Sequence, residues 1–309
     1  MTGSPRSRLR RRLAEGPILL APGIYDAYGA RLVEQAGFEA AYLTGNGVSA
    51  ALLGRPDVGL VDLTLMAAHA HRVAAAISIP LVCDADTGYG NAVNVRRTVE
   101  ELESAGVAAI HIEDQESPKR CGHLPGARPV VPLEEQVGKI EAAAAARRDP
   151  DFVLIARTDA AGGQGVDAAI DRARAYRAAG ADVLFVELKG TPDVVDQLRR
   201  VAEALDAPLL VNVEEVGPLA ELAAPDLERL GYRLAIYPGL GRYAAGYAIR
   251  EAARALRRDG HTRAARDRML TFEEYHAALG LGEVEAWEAR YLTGGAAPGA
   301  SGPRRPGTR

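Results

Sequence analysis

Residues 80–113 open Pro80-Leu-Val-Cys-Asp84-Ala-Asp86-Thr-Gly-Tyr-Gly90, pass through an amphipathic stretch over 94–105, and close Ala108-Ala-Ile-His-Ile-Glu113. The two apolar runs are short and rich in aliphatic residues, with no polar residue until their ends. That pattern describes strands buried on both faces, which is the signature of a parallel sheet. Joined by a helix, they form one strand–helix–strand unit. The same unit repeats outward in both directions. Upstream lie Ile18-Leu-Leu-Ala21 and Ala40-Ala-Tyr-Leu43. Downstream lie Phe152-Val-Leu-Ile-Ala-Arg157, Asp182-Val-Leu-Phe-Val-Glu187, Ala207-Pro-Leu-Leu-Val-Asn212 and Leu234-Ala-Ile-Tyr237. Helical patterns over 133–146, 166–179 and 194–205 fill the gaps. Eight such units predict an α/β chain folded as a (β/α)8 TIM barrel. A doubly wound open sheet is the competing architecture, but no Gly-x-Gly-x-x-Gly follows the first strand. Further helical patterns at 243–258 and 271–292 exceed what one barrel needs, so a C-terminal extension packing on another subunit is expected.

The chain has 309 residues, 48% of them hydrophobic, enough for one large core. No apolar run reaches the length of a membrane span. Two cysteines make no disulfide framework and fit a reducing cytoplasm. The net charge of -4 hides an asymmetry: residues 1–12 carry five arginines and no acid, and 294–309 carry three. Without those ends the body holds 29 basic against 41 acidic residues, the wrong sign for a nucleic-acid binder. Residues 1–12 and 293–309 are expected to be disordered tails flanking a barrel with its helical extension at 13–292.

In a barrel of this kind active sites gather at the carboxyl ends of the strands. Here those ends carry Asp84 and Asp86, His111 and Glu113, Arg157, Glu187, and Asn212. Alternation puts Asp84 and Asp86 on one face and His111 with Glu113 on one face. Several carboxylates at one mouth repel each other unless a cation sits among them, and an all-oxygen set favours Mg2+ or Mn2+ over zinc. Each acid taken singly could equally cap the following helix; a whole ring of them is harder to explain that way. After the fourth strand, residues 114–132 lack any periodicity, as expected for a lid or binding loop. Within it, Pro118-Lys119-Arg120-Cys121-Gly122-His123 sets a thiol among cations, where the thiolate is favoured and acid, base or nucleophile chemistry becomes available. The other cysteine, Cys83, reads as core. Lys119, Lys139 and Lys189 are the chain's three lysines among many arginines, and two of them sit beside these candidate site residues.

With these segments assembled, the chain resembles the isocitrate lyase and phosphoenolpyruvate mutase superfamily over about residues 19–292. Its short-chain branch is nearest: methylisocitrate lyases, dimethylmalate lyases and carboxyphosphonoenolpyruvate mutase-like proteins. Lys119-Arg120-Cys121-Gly122-His123, Asp84-Ala-Asp86-Thr-Gly-Tyr-Gly90 and His111-Ile-Glu-Asp-Gln115 carry the resemblance. It implies that Asp86 is a direct ligand of Mg2+ or Mn2+, with Asp84 and Glu113 holding metal-bound water. It further implies that Tyr42, Thr44 and Gly45 seat a substrate carboxylate beside Asp57, His111 and Gly122. Arg157 and Glu187 would bind substrate and assist proton chemistry, and Asn212 would line the pocket. Cys121 would protonate a carbanion while Lys119, Arg120 and His123 act with it in the loop. The implied reaction is C–C cleavage of a 2-hydroxy acid, alkyl-malate or methylisocitrate-like, to a 2-oxo acid and a carboxylic acid. Phosphonate chemistry of the mutase or hydrolase kind, or an oxaloacetate-type cleavage, is the alternative; a barrel without catalysis is a third. Relatives exchange a C-terminal helix between subunits, which implies a homodimer or homotetramer.

The chain departs from that pattern in two places. Asn212-Val-Glu214 puts a carboxylate where tricarboxylate-cleaving relatives carry a small hydroxyl residue, and Tyr237-Pro-Gly-Leu-Gly241 lacks another hydroxyl. Glu214 facing the pocket would repel a third carboxylate; Lys189, two residues past Glu187, could neutralise it.

Overall fold

A computed structural model describes residues 3–122, 124 and 128–292. Eight parallel strands close into a barrel in chain order: β1 (Leu19–Ile24), β2 (Ala41–Leu43), β3 (Leu81–Asp84), β4 (Ala109–Glu113), β5 (Val153–Thr158), β6 (Val183–Val186), β7 (Leu209–Asn212) and β8 (Leu234–Tyr237). Closure comes from β8 pairing with β1, Leu19 opposite Leu234 and Ala21 opposite Ile236. Helices α1 (Pro5–Ala14), α2 (Ala27–Gln35), α3 (Gly45–Leu53), α4 (Leu63–Ala76), α5 (Ala92–Ser104), α6 (Leu133–Ala146), α7 (Ala161–Gln164), α8 (Val166–Ala178), α9 (Val194–Ala204) and α10 (Ala224–Arg229) accompany the strands. Beyond β8 come α11 (Leu240–Asp259), α12 (Phe272–Ala278) and α13 (Leu281–Tyr291). The chain divides into a unit of residues 1–253 and a second unit from Arg254 onward. In the second unit, Phe272, Trp287 and Tyr291 are exposed.

Strand alternation sorts each side chain to one of two cores. Leu19, Ala21, Val82, Ala109, Val153, Ile155, Val183, Phe185, Leu210, Leu234 and Ile236 fill the barrel interior. Leu81, Cys83, Ile110, Ile112, Leu154, Ala156, Leu184 and Val211 face the helices. Cys83 is thus core, as its place in the strand predicts. The last inward position of β2, β3, β4, β5 and β7 falls to Tyr42, Asp84, Glu113, Arg157 and Asn212, and Glu187 takes the same place just past β6. That arithmetic alone brings the polar residues together at one mouth.

The expectation of a disordered basic N-terminus is corrected by α1. Ser4 caps the helix, its hydroxyl accepting from the Ser7 N–H, and Pro5 occupies the first turn. Leu9 and Leu13, four residues apart on one face, are buried and join the interior cluster of the barrel. Arginines of the same helix meet acids of the barrel body: Arg6 on Asp149 at 2.9 Å, Arg10 on Asp182 at 3.1 Å and Arg12 on Glu39 at 3.1 Å. Composition hid a two-leucine stripe among five charges. The expected tail at 293–309 lies outside the described residues.

The aperiodic stretch 114–132 is pinched at its base. Gln115 and Val130 form an antiparallel bridge, the Glu116 N–H donates to the Pro129 carbonyl and the Val131 N–H to that of Asp114. Among the described residues, no helix is long and apolar enough to cross a membrane.

Candidate active site

The mouth of the barrel holds a cavity of about 50 Å3, room for a few water-sized groups. Tyr42, Glu113, Cys121, Arg157, Glu187 and Asn212 are among the residues that line it. Thr44, Asp57, Asp84, Lys119, Arg120, Gly122 and Glu214 complete the set of sequence-predicted residues on its wall. Asp86, His111 and Gly45 stand behind that wall, and Lys189 lines an adjoining space. His123 lies outside the described residues.

At the β2–β4 side, Tyr42 Oη and His111 Nε2 are 2.8 Å apart and their rings stack. Burial pushes His111 down to about 4, against the pull of Asp84, so the imidazole is neutral near pH 7. Burial and the Asp84 charge also hold the Tyr42 phenol well above its usual range. We assign Tyr42 O–H as donor to Nε2, which leaves the ring proton on Nδ1, 3.7 Å from Asp84 Oδ1. Asp84 accepts from the Gly45 N–H at 3.2 Å and from the Asp86 N–H at 3.0 Å. A Cβ on Gly45 would lie 2.6 Å from Asp84 Oδ2, so only glycine fits there. Burial alone would raise Asp84; His111, Lys119, Arg157 and the Asp86 N–H outweigh it and hold the carboxyl at about 2.

Asp86 occupies left-handed backbone, φ 48°, with its carbonyl accepting from the Glu113 N–H at 2.9 Å. Such a conformation in a non-glycine residue costs about 1–3 kcal/mol and persists only where the surroundings fix it. Burial, with the charges of Asp84 and Asp57, raises Asp86 to about 7 despite Lys119. Glu113 is also raised well above the carboxylate range, by burial, against the opposing Arg157 and Lys119. Its Oε1 is buried without a hydrogen-bond partner. A site with two carboxyls pushed up and one carboxylate oxygen unsatisfied is short of positive charge, and a divalent cation fits that deficit. Among the described residues, no three Asp, Glu, His or Cys side chains converge as a ready-made direct ligand set.

From the long loop, Lys119 Nζ reaches Asp57 at 2.7 Å and Asp86 at 2.8 Å, buried to 5% exposure. Its ammonium engages carboxylates of the protein. Cys121 is positioned by two groups: Asn46 Nδ2 donates to Sγ at 3.2 Å, and the Cys121 N–H donates to the Asp57 carbonyl at 3.1 Å. Arg120 donates its N–H to Gln115 Oε1 at 3.0 Å. A Cβ on Gly122 would sit 2.9 Å from Arg128 Nη1, so a side chain there would displace that guanidinium.

On the opposite wall, Arg157 makes a two-pronged contact with Asp159 at 2.7 and 2.9 Å, meets Glu113 at 3.2 Å and lies over the Phe185 ring. Asp159 also receives Arg128 at 2.8 Å. Its N–H donates to buried Asp114, which accepts from Thr158 Oγ1 and Tyr176 Oη as well. Asp114 therefore serves the scaffold of Arg157. Glu187 accepts from Asn212 Nδ2 and from the Lys189 N–H, both at 3.1 Å. Lys189 Nζ binds both oxygens of Glu214. Sequence reading did not single out Asn46 or Arg128 as working residues. Asn46, two residues past Thr44 in Gly45-Asn-Gly47, carried a signal: a polar residue in the first turn after a strand end. The pairing of Arg128 with Asp159 carried none, since 31 residues separate them.

Residues 9–257 match the family described as phosphoenolpyruvate phosphomutase. The chain is 43% identical over 288 residues to a 2,3-dimethylmalate lyase of Eubacterium barkeri, covering 93% of this chain and 98% of that protein. It is 43% identical over 286 residues to a 2-methylisocitrate lyase of Shewanella oneidensis, covering 92% and 96%. Among solved structures, a phosphonopyruvate hydrolase in complex with oxalate and Mg2+ superposes with a TM-score of 0.86 at 34% identity, covering 94% of this chain and 100% of that one.

Proposed function

The chain belongs to the phosphoenolpyruvate mutase and isocitrate lyase superfamily, close to its methylisocitrate and dimethylmalate lyase branch, and from that premise we propose that it cleaves an alkyl-substituted malate. It is a lyase that breaks a C–C or related bond in a 2-hydroxy or 2-oxo acid. The observation that carries the finer reading is Cys121, its sulfur held by Asn46, on the wall of the same small cavity as Tyr42, Glu113, Arg157 and Glu187.

Asp84, Asp86 and Glu113 would hold Mg2+ or Mn2+, whose charge polarises the substrate's 2-hydroxyl and carboxylate when bound. The protein's own groups do the rest. Arg157, fixed by Asp159 and stacked over Phe185, presents fixed positive charge to the carboxylate on which charge develops. Glu187, oriented by Asn212, accepts the proton of the 2-hydroxyl. As the C2 carbonyl forms, the C2–C3 bond breaks and its electron pair passes to C3 as an enediolate. Cys121 donates its S–H proton to C3, giving a 2-oxo acid and a saturated carboxylic acid; the proton left on Glu187 and the thiolate are rebalanced through solvent. The Tyr42 hydroxyl, at His111 Nε2, keeps the neutral imidazole in place behind the cavity wall. We further propose a homo-oligomer in which the C-terminal helices cross between subunits, consistent with the exposed Phe272, Trp287 and Tyr291.

A panel of 2-hydroxy diacids assayed for 2-oxo acid release, run beside phosphorus NMR on phosphonates, tests the reading. Release from 2,3-disubstituted malates with no change in the phosphonates supports it; P–C bond formation or cleavage with inert malates overturns it.

A further inference from the structure

Beside the catalytic cavity lies a much larger one of roughly 660 Å3 between the loops that follow β6 and β7. Glu187, Asn212 and Glu214 line both, so the two spaces share that wall. Leu188, Val194, Val195, Val216, Pro218 and Leu219 supply the apolar lining of the larger space. Val216 is 69% exposed on the β7 loop, an uncovered branched residue with an apolar hollow beside it. At the border, Lys189 and Glu214 neutralise each other, so the passage presents a compensated pair. A tail that is apolar can cross a compensated wall without stranding a charge, whereas a further carboxylate gains nothing there.

We infer that this annex receives an alkyl chain of the substrate, longer than a methyl group, so the natural substrate class is a malate bearing an extended alkyl substituent. The inference rests on the lyase reading for what occupies the catalytic cavity. The annex itself is defined independently, by an apolar hollow that shares three residues with that cavity. Buried methylenes add about 0.8 kcal/mol each, equivalent to about fourfold in affinity per methylene.

The test uses unreactive diacids, 2-methyl-, 2-propyl- and 2-hexylsuccinate, which lack the hydroxyl needed for cleavage. Their Kd for the full chain in Mg2+ is measured by calorimetry. The annex predicts at least tenfold tighter binding from methyl to propyl and further tightening to hexyl, with Val216→Asp and Val194→Asp each flattening the series. A Kd constant within twofold across the native series overturns it, irrespective of how the variants fold. So does a flat series accompanied by dissociation of an oligomer in Val216→Asp, which would give this face to a second copy of the chain. Release of a 2-oxo acid from the matching alkylmalates is scored separately: its absence alongside a steep binding series removes the lyase reading and leaves the annex standing.

Discussion

Lys189 Nζ lies 2.8 and 2.9 Å from the two carboxylate oxygens of Glu214, a forked ion pair at the rim of the catalytic cavity. Taken alone, Glu214 would repel a third substrate carboxylate; with Lys189 on it, the rim is compensated. Lys189→Ala should therefore expose the charge and lower kcat/KM for methylisocitrate by about tenfold or more. Glu214→Thr should gain little for the same substrate. A large gain in Glu214→Thr with no loss in Lys189→Ala would mean the pair is not formed in solution.

Cys121→Ser should lower kcat by more than tenfold with KM nearly unchanged, because a serine hydroxyl is a far poorer acid at neutral pH. Asn46→Ala should lower kcat less, since it only removes the amide that orients the sulfur at 3.2 Å. Steady-state kinetics of the two variants decide this, and retention of most of the rate in Cys121→Ser would move the proton donor elsewhere.

Chelation by EDTA should abolish turnover, with recovery on adding Mg2+. The pH sense is also fixed. Asp86 titrates near 7 in the folded, metal-free chain against 3.8 unfolded, and Glu113 is raised too. These two groups bind more protons in the folded state than in the unfolded one, so their contribution to metal-free stability falls as pH rises from about 4 to 7. Asp84, held at about 2, adds an opposite slope below about 4, and His111, lowered from 6.5 to about 4, adds another between about 4 and 6.5. Thermal melts of EDTA-treated protein at pH 6.5 and 7.5, above most of the His111 window, should show Tm falling with pH more steeply in the native chain than in Asp86→Asn.

Leu9→Ala should cost about 2–5 kcal/mol, the usual range for emptying a fully buried leucine site. Urea unfolding measures it. A change below 0.5 kcal/mol would mean that α1 does not seat on the barrel in solution.

Truncation before Thr271 should expose apolar surface and yield aggregated or dissociated protein by light scattering. A monodisperse, fully active monomer from the intact chain would sink the proposed helix exchange.

Much of the site was legible because strand ends are legible. A barrel strand announces itself as an apolar run, and its last inward side chain follows by counting in twos; Asp84, Glu113, Arg157, Glu187 and Asn212 were all reached that way. The loop thiol at Cys121 stood out by its cationic neighbours. The basic N-terminus misled, because its composition is that of a tail while two leucines at helical spacing decide its structure. Leu9 and Leu13 bury only because the open end of the barrel is there to receive them, and nothing local to residues 1–12 reports that.

The sequence by itself determined the (β/α)8 order and the inward set of polar residues, since periodicity and residue type are local properties. Tertiary structure alone decided which charges meet. Lys119 joins Asp57 and Asp86 across 62 and 33 residues of chain, Arg128 finds Asp159, and Lys189 closes on Glu214. Whether a carboxylate is repulsive, a ligand or already neutralised depends on distances of a few ångströms between residues that the chain holds far apart, and only folding sets those distances.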